Sequence, residues 1–158
     1  MTARQSRLFR TATRGALWLV LAAVSTSAWC AQYQSIGNDP AIFYDAPTLR
    51  GSKTFVAPRG MPVEVIVAQG DWVRVRDSTG GLAWVEKKAL SDRRTVVVSA
   101  KTGPAEVRAA PDENSPSVFR AQAGVLLELV SAPASGWVSV RHQDGQGGYV
   151  KVGDVWGK

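Results

Sequence analysis

The side chains that most often carry out chemistry are scarce in this sequence. The 158 residues include one histidine, His142, and one cysteine, Cys30. Nucleophilic catalysis needs a histidine beside a nucleophile, and a zinc site needs clustered histidines and cysteines. His142 stands in "RHQDGQGG", which is rich in turn-forming residues. We therefore interpret it as an exposed turn residue rather than as a base or a metal ligand.

Carboxylates and glycines add no catalytic pattern. The acidic residues that could pair as acid and base lie mostly in predicted turns, where a solvated side chain is the simpler interpretation. They are Asp71, Asp77, Asp112, Glu113 and Asp144. The glycines of "GQGG" lead into a strand and not into a helix, so they do not form a nucleotide-binding loop. The sequence predicts a protein that is not an enzyme and that holds no metal and no cofactor.

Aromatic and arginine side chains at alternating positions are better candidates, and the chemistry they offer is binding. In "GDWVRVRDSTGGLAWVE", the first strand of a predicted hairpin carries Val73 and Val75 on one side. Trp72, Arg74 and Arg76 point to the other side, because side chains alternate along a strand. If the valines belong to the core, the tryptophan and the arginines lie outside it.

The same pattern occurs again 65 residues later, in "GWVSVRHQDGQGGYVK". Val138 and Val140 take the inward positions, and Trp137 and Arg141 take the outward ones. The returning strand of each hairpin adds one more outward aromatic residue; these are Trp84 and Tyr149. Such aromatics could form a flat groove for a sugar chain or an extended peptide. They could equally cover a barrel end or the contact between the two repeats.

The elements that must position these side chains repeat as well. Matches at a spacing of 64 extend the repeat upstream to Ala41 and Ala105. Each unit shows about five short strands, which predicts a small β-barrel or sandwich. We expect Phe55 and Phe119 in the two cores, "TVVVSA" as the first strand of the second unit, and the two units packed together. The strand "MPVEVIVAQG" is expected to carry three valines on one face: Val63, Val65 and Val67.

The first 30 residues differ in kind from the rest. Four arginines and no acidic residue precede the apolar run "ALWLVLAAV", and the small residues of "STSAWCA" follow it. This layout predicts a secretory signal peptide, since the run is shorter than the about 20 residues that span a bilayer. Cleavage after Ala28 and after Cys30 both fit, and a retained anchor or a lipid on Cys30 are the alternatives. We expect periplasmic localisation, with secretion as a variant, and no membrane span after cleavage.

Charge narrows the class of partner. The chain has 19 basic and 13 acidic residues, a net charge of +6, but removal of the four N-terminal arginines leaves 15 against 13, or +2. So small an excess argues against a nucleic-acid partner. Removal of Cys30 would also leave no cysteine, so the exported protein would depend on core packing rather than on a disulfide.

The second unit carries an ordered series of short motifs: Val107-Arg108, Pro111, Gly124, Gly136-Trp137, Val140, Asp144-Gly145 and Gly148-Tyr149-Val150. In these motifs it resembles a bacterial SH3 domain. The first unit departs from the pattern at three of these positions, with Phe43-Tyr44, Asp71-Trp72 and Ala83-Trp84-Val85. The resemblance covers about Ala41 to Val155. It implies a five-stranded SH3-like barrel in each half, which we place at 31–92 and 93–158.

With export, the resemblance implies recognition of peptidoglycan or its stem peptides, because related domains accompany wall-cleaving enzymes. The segment "AIFYDAP" also resembles a strand on the ligand side of SH3 domains. The candidate ligand-binding residues are Tyr44, Asp45, Trp72, Arg74, Trp84, Trp137, Arg141 and Tyr149. The alternative is a periplasmic interaction module that binds an extended peptide or an envelope protein.

Overall fold

A computed structural model describes residues 31–101 and 103–158. The predicted signal peptide and Cys30 lie outside the described residues. In the described part no helix is long and apolar enough to cross a membrane.

The first domain is a seven-stranded antiparallel sheet with the order β3-β2-β6-β5-β4-β1-β7. Its strands are β1 Gln32–Ile36, β2 Ala41–Tyr44, β3 Lys53–Ala57, β4 Pro62–Gln69, β5 Trp72–Arg76, β6 Leu82–Glu86 and β7 Leu90–Ser91. The 3₁₀ turn Lys87–Ala89 joins the last two strands, as "KKALS" predicts. The strand β1 has no counterpart in the sequence prediction, because only five residues with weak alternation form it.

The second domain repeats this sheet in the order β10-β9-β13-β12-β11-β8-β14. Its strands are β8 Thr95–Val98, β9 Ala105–Arg108, β10 Ser117–Ala121, β11 Leu126–Leu129, β12 Trp137–Arg141, β13 Gly147–Lys151 and β14 Val155–Trp156. A second 3₁₀ turn spans Val152–Asp154. The prediction of an all-β chain is confirmed for the described residues, and β8 is the strand predicted from "TVVVSA". The boundary between residues 92 and 93 stays a prediction.

Each sheet encloses its own core, and the alternating valines of the two long hairpins form its centre. Val73 and Val75 are 3% and 1% exposed, and Val138 and Val140 are equally buried. The other fully buried side chains are mostly β-branched, and such residues pack well on a pleated surface. Each core is small, so we expect contact between the two domains to add to their stability.

Two side chains expected in the first core lie at the surface. Phe55 is 49% exposed, because it sits on the end strand β3. Its ring is tilted against that of the buried Phe43, with ring centroids 5.9 Å apart. Val67 is 46% exposed. A β-bulge between Val65 and Val67 inserts one extra residue, which turns Val67 onto the outer face opposite Arg74.

Two side chains of the second domain are intermediate rather than fully inside or outside. Phe119, expected in the core, is half-buried and packs against that core. His142, expected to be exposed, has a side chain only 27% exposed. The two rings lie 6.0 Å apart between centroids, so each covers the other.

A buried chain of hydroxyl groups joins the two domains. The Thr95 hydroxyl donates to the Gly60 carbonyl oxygen at 2.6 Å, and the Ser35 hydroxyl lies 2.6 Å from the same Thr95 oxygen. Because the only hydroxyl hydrogen of Thr95 is used toward Gly60, Ser35 is the donor to Thr95. Ser35 and Thr95 are both buried polar residues, and each satisfies the other.

Aromatic and charged contacts extend this junction. Tyr33 and Trp156 form an edge-to-face pair, with ring centroids 5.2 Å apart. The Arg94 guanidinium lies 5.7 Å from the Tyr33 ring centroid and donates to the Gly157 carbonyl oxygen at 3.0 Å. Burial, followed by the nearby Glu64 carboxylate, raises the pKa of Tyr33 above its ordinary value. The first and second domains therefore pack together directly.

Replacing the central hydroxyl should weaken the folded state. Thr95→Val keeps the shape of the side chain but leaves the Ser35 hydroxyl and the Gly60 carbonyl without partners. We expect the free energy of unfolding to fall by about 1–3 kcal/mol, measured by chemical denaturation. Thr48→Val, at an exposed loop position, is the control and should change stability by less than about 0.5 kcal/mol. Equal losses in the two variants would contradict the assigned hydrogen-bond chain.

Gly148 is required by a close approach of two strands. A Cβ at this position would lie 2.5 Å from the Arg108 carbonyl oxygen and 2.9 Å from Val107 Cγ1. We expect Gly148→Ala to destabilise the protein by roughly 1–3 kcal/mol, because backbone must move to admit the methyl group. Gly153→Ala is the matched control, since nothing lies within 4 Å of its Cβ position. A thermal unfolding comparison in which the two variants lose equal stability would disprove this steric explanation.

Candidate binding site

The outer face of the first sheet brings together most of the predicted aromatic residues. Strand register places Tyr44 beside Trp84, and Trp84 beside Arg74. Trp72 also leans on Tyr44, in an edge-to-face pair with ring centroids 5.4 Å apart. Tyr44 is only 5% exposed, so these neighbours hold its ring in one position.

A groove of about 460 Å³ opens beside Tyr44, and we call it the first groove. One wall is the segment 37–42, which leads into β2, and the other is the end of β6 with the following 3₁₀ turn. The side chains that define it are Asp39, Pro40, Ile42, Tyr44, Glu86 and Lys88. Its shape and its mixture of apolar and polar groups suit a ligand of several atoms with a few polar contacts.

An ion pair sits on the rim of the first groove. Lys88 Nζ lies 2.9 Å from Glu86 Oε1. The hydrogen bond that Lys88 donates to this carboxylate raises the pKa of Lys88 above its ordinary value. A further open space next to the groove is lined by Asp71 and by the same Glu86 and Lys88. The rim therefore offers both signs of charge.

Asp45, a predicted ligand residue, has a structural task in this arrangement. Its Oδ1 accepts a hydrogen bond from the Ser52 backbone N–H at 2.8 Å, and its own N–H donates to the Ser52 carbonyl oxygen at 3.1 Å. These bonds close the loop between β2 and β3. Asp45 therefore shapes the surface beside Tyr44 and does not line the groove.

The second domain has an equivalent but smaller groove of about 150 Å³, the second groove. Here Arg108 stands at the position of Tyr44, and Trp137 lines the groove directly. Arg108 is held by the Glu106 carboxylate and donates to the Ser115 carbonyl oxygen at 2.7 Å. Glu106 is also paired with Arg120 at 3.0 Å. At this one position the first groove has a tyrosine ring and the second has a paired guanidinium group.

The remaining predicted residues are spread over the second sheet. Tyr149 lies beside Arg108 in the strand register. Arg141 shares the outer face with Trp137 but stands four residues further along β12, about 13 Å away at the usual strand rise. Arg141 borders a separate cleft between the domains instead. Of the eight predicted residues, Tyr44 lines the first groove and Trp137 the second, Asp45 closes a loop and Arg141 borders this cleft. The other four lie on the two sheets outside the grooves: Trp72, Arg74 and Trp84 on the first sheet and Tyr149 on the second.

Two stretches of the chain match the same protein family model. The family model described as "Bacterial SH3 domain" matches residues 37–92 and again residues 101–157, which is well over half of the chain. The chain belongs to the bacterial SH3 domain family. The prediction of two tandem SH3-like domains is thereby confirmed. A comparison with curated proteins finds no match.

Three solved structures with weak similarity contain NlpC or NlpC/P60 in their titles. NlpC1 from Trichomonas vaginalis shares 14% identity, covers 92% of this chain and 52% of its own, and gives a TM-score of 0.38. NlpC2 from the same organism shares 12% identity, covers 82% of this chain and 49% of its own, and gives a TM-score of 0.37. An NlpC/P60 family protein from Bacillus cereus shares 17% identity, covers 79% of this chain and 56% of its own, and gives a TM-score of 0.36. The chain spans about half the length of these structures.

Sequence reasoning missed three residues that line the first groove of the first bacterial SH3 domain. Ile42, Glu86 and Lys88 were not predicted as site residues. Glu86 precedes the 3₁₀ turn and Lys88 lies within it, and this turn is the one sequence signal that could have indicated them. No group of three or more potential metal ligands occurs among the residues that the structure describes.

The rim ion pair leads to a pH-titration prediction. Glu86→Gln removes the carboxylate that contributes most to the raised pKa of Lys88, so that pKa should fall toward its ordinary value. NMR titration of the lysine side chains measures the change directly. Asp71→Asn serves as the control, because Asp71 acts on Lys88 only through a weaker coulombic effect. A larger fall in Asp71→Asn than in Glu86→Gln would contradict the assigned pair.

Proposed function

We propose that this protein is an exported, non-enzymatic adaptor of the cell envelope that binds peptidoglycan through its stem peptides. The ligand occupies the first groove. The protein acts in the periplasm after its N-terminal segment is removed. Family membership supports a binding role, and the sequence pattern of residues 1–30 supports export.

The observation that carries the proposal is the first groove of about 460 Å³ with its charged rim. A stem peptide is short and carries both amino and carboxylate groups. The rim pair of Lys88 and Glu86 offers a partner for each, and Pro40 and Ile42 offer an apolar contact. A groove that is already formed limits the conformational cost of binding such a flexible ligand.

The difference between the two grooves supports a ligand in the first domain rather than in the second. In the second groove the Arg108 side chain is only 22% exposed and is bound both by Glu106 and by the Ser115 carbonyl. Binding there would have to break these contacts or leave them in place within a volume of about 150 Å³. The Lys88 side chain of the first groove is 79% exposed and, among the described residues, is bound only by Glu86, so a ligand can replace that contact more easily. We therefore assign the second domain chiefly to stabilising the first through the junction.

A second candidate function rests on the end strand β3. Four of its five residues are exposed, including Phe55 and Val56. An exposed end strand offers unpaired backbone groups to which an extended peptide can add as a further strand. An envelope protein with such a segment would then be the partner, and β3 rather than the first groove would bind it.

Co-sedimentation with purified peptidoglycan sacculi tests the leading proposal. We expect the protein to pellet with sacculi, and Lys88→Glu to bind about fivefold more weakly, the loss expected for a contact of about 1 kcal/mol. Lys53→Glu, on β3, changes the net charge equally and should bind like the original protein. Trp137→Ala, in the second groove, should also retain binding once its folding has been checked.

Two outcomes would overturn the assignment. If the unmodified protein stays in the supernatant at low and moderate salt, peptidoglycan is not the ligand. If Lys53→Glu loses binding while Lys88→Glu retains it, the surface around β3 is the contact.

A further inference from the structure

A small cleft of about 120 Å³ lies between the two domains, away from both grooves. The first domain contributes Arg59 and Gly60, and the connecting segment contributes Arg93. Arg141 and Glu128 line it from the second sheet. A neighbouring space of about 80 Å³ shares Arg59, Gly60 and Arg93, so these residues border both.

The internal repeat shows that one arginine of this cleft has lost its expected partner. In the first domain Arg76 pairs with Glu64 at 3.0 Å. The counterparts in the second domain are Arg141 and Glu128, which are also cross-strand neighbours. There the carboxylate of Glu128 is bound by Arg93 instead, at 3.3 Å. Among the residues that the structure describes, no carboxylate forms a salt bridge with Arg141.

Arg59 is presented to the cleft by a rigid turn. The Met61 N–H donates to the Pro58 carbonyl oxygen at 3.1 Å, and Gly60 has φ +74°, as a tight turn of type II requires. The Gly60 N–H is bound to the Ile36 carbonyl oxygen at 2.8 Å, and the Gly60 carbonyl accepts from Thr95. The backbone beside Arg59 is thus fixed against both domains. At the repeat spacing of 64, the second domain has Ala123 in this place.

The charge of the cleft is unbalanced. Three arginines and one glutamate line it, a local excess of +2 in formal charge. This equals the net charge of the whole segment 31–158, in which 15 basic residues stand against 13 acidic ones. Like charges held close together repel one another, so a bound anion would relieve an existing cost.

We propose that this interdomain cleft binds a phosphate group. The guanidinium fork matches the oxygens of phosphate, and a tetrahedral group presents acceptors in several directions at once. The three arginines lie on two domains and on the segment that connects them, so they can bind different oxygens of such a ligand. A carboxylate has two coplanar oxygens and is matched by one guanidinium. Because the bound group contacts both domains, it also links them and stabilises their packing.

Calorimetric titration of the purified protein with inorganic phosphate, at constant ionic strength in chloride, tests the proposal. We expect saturable binding, with Kd about tenfold to a hundredfold weaker in Arg59→Gln and in Arg141→Gln, as for the loss of one hydrogen bond to a charged group. Arg76→Gln is the matched control, since Arg76 is the repeat counterpart of Arg141, and its Kd should stay within about twofold of the original. Phosphate should also raise Tm in the original protein and in Arg76→Gln only.

Further binding experiments identify the source of the phosphate. Vesicles of phosphatidylglycerol that bind the original protein but not Arg141→Gln would assign the cleft to a lipid headgroup. Phosphate binding without vesicle binding would assign it to a soluble or polymer-borne phosphate. Equal weakening in Arg76→Gln and Arg141→Gln, equal binding of acetate and phosphate, or no saturable binding would each overturn the proposal.

Discussion

The two-residue alternation along the long hairpins is the constraint on which the rest of this structure depends. In β5 and β12 it buries a pair of valines and directs a tryptophan outward. One set of alternate positions therefore builds the core, and the other builds the surface that can bind. A slip of one residue would exchange the two sets and bury arginine side chains, so the register is strongly specified. The strand β6 continues the pattern with Val85 inward and Trp84 outward.

The repeat has kept its core while its outer positions have diverged. Sheet order, buried valines and 3₁₀ turns are the same in both domains. Tyr44 in one domain and Arg108 in the other occupy the same place, so a tyrosine ring at this position of the first groove is replaced by a paired guanidinium in the second. The connecting segment adds a second difference, because Arg93 binds Glu128 and releases Arg141. Core positions are constrained by packing, whereas outer positions are constrained only by what they contact.

Local patterning predicted the fold well because the relevant physics is local. Alternation identified the buried valines, the outward aromatics and both hairpins, and the repeat identified two domains. It failed where one residue of irregularity changes the face, as in the bulge that exposes Val67. It also failed for Phe55, since alternation indicates a side but not whether a strand ends the sheet. Arg141 shares a face with Trp137 as alternation indicates, but alternation does not show how far apart two residues of one face lie along the strand.

The grooves and the junction could not be predicted in this way, since they depend on which loops meet. The walls of the first groove come from segments 37–42 and 85–89, and no periodicity links them. The hydroxyl chain through Ser35, Thr95 and Gly60 joins three segments, and each polar residue alone would look unremarkable in sequence. Such contacts are a property of the packed pair of domains.

Whether the ligand occupies the first groove is tested by NMR chemical-shift mapping with a soluble peptidoglycan fragment, a disaccharide that bears its stem peptide. We expect shift changes for backbone amides in segments 37–42 and 86–89, and no change in the second groove around Arg108 and Lys151. Shift changes confined to the second groove or to β3, or no change at saturating fragment, would contradict this expectation.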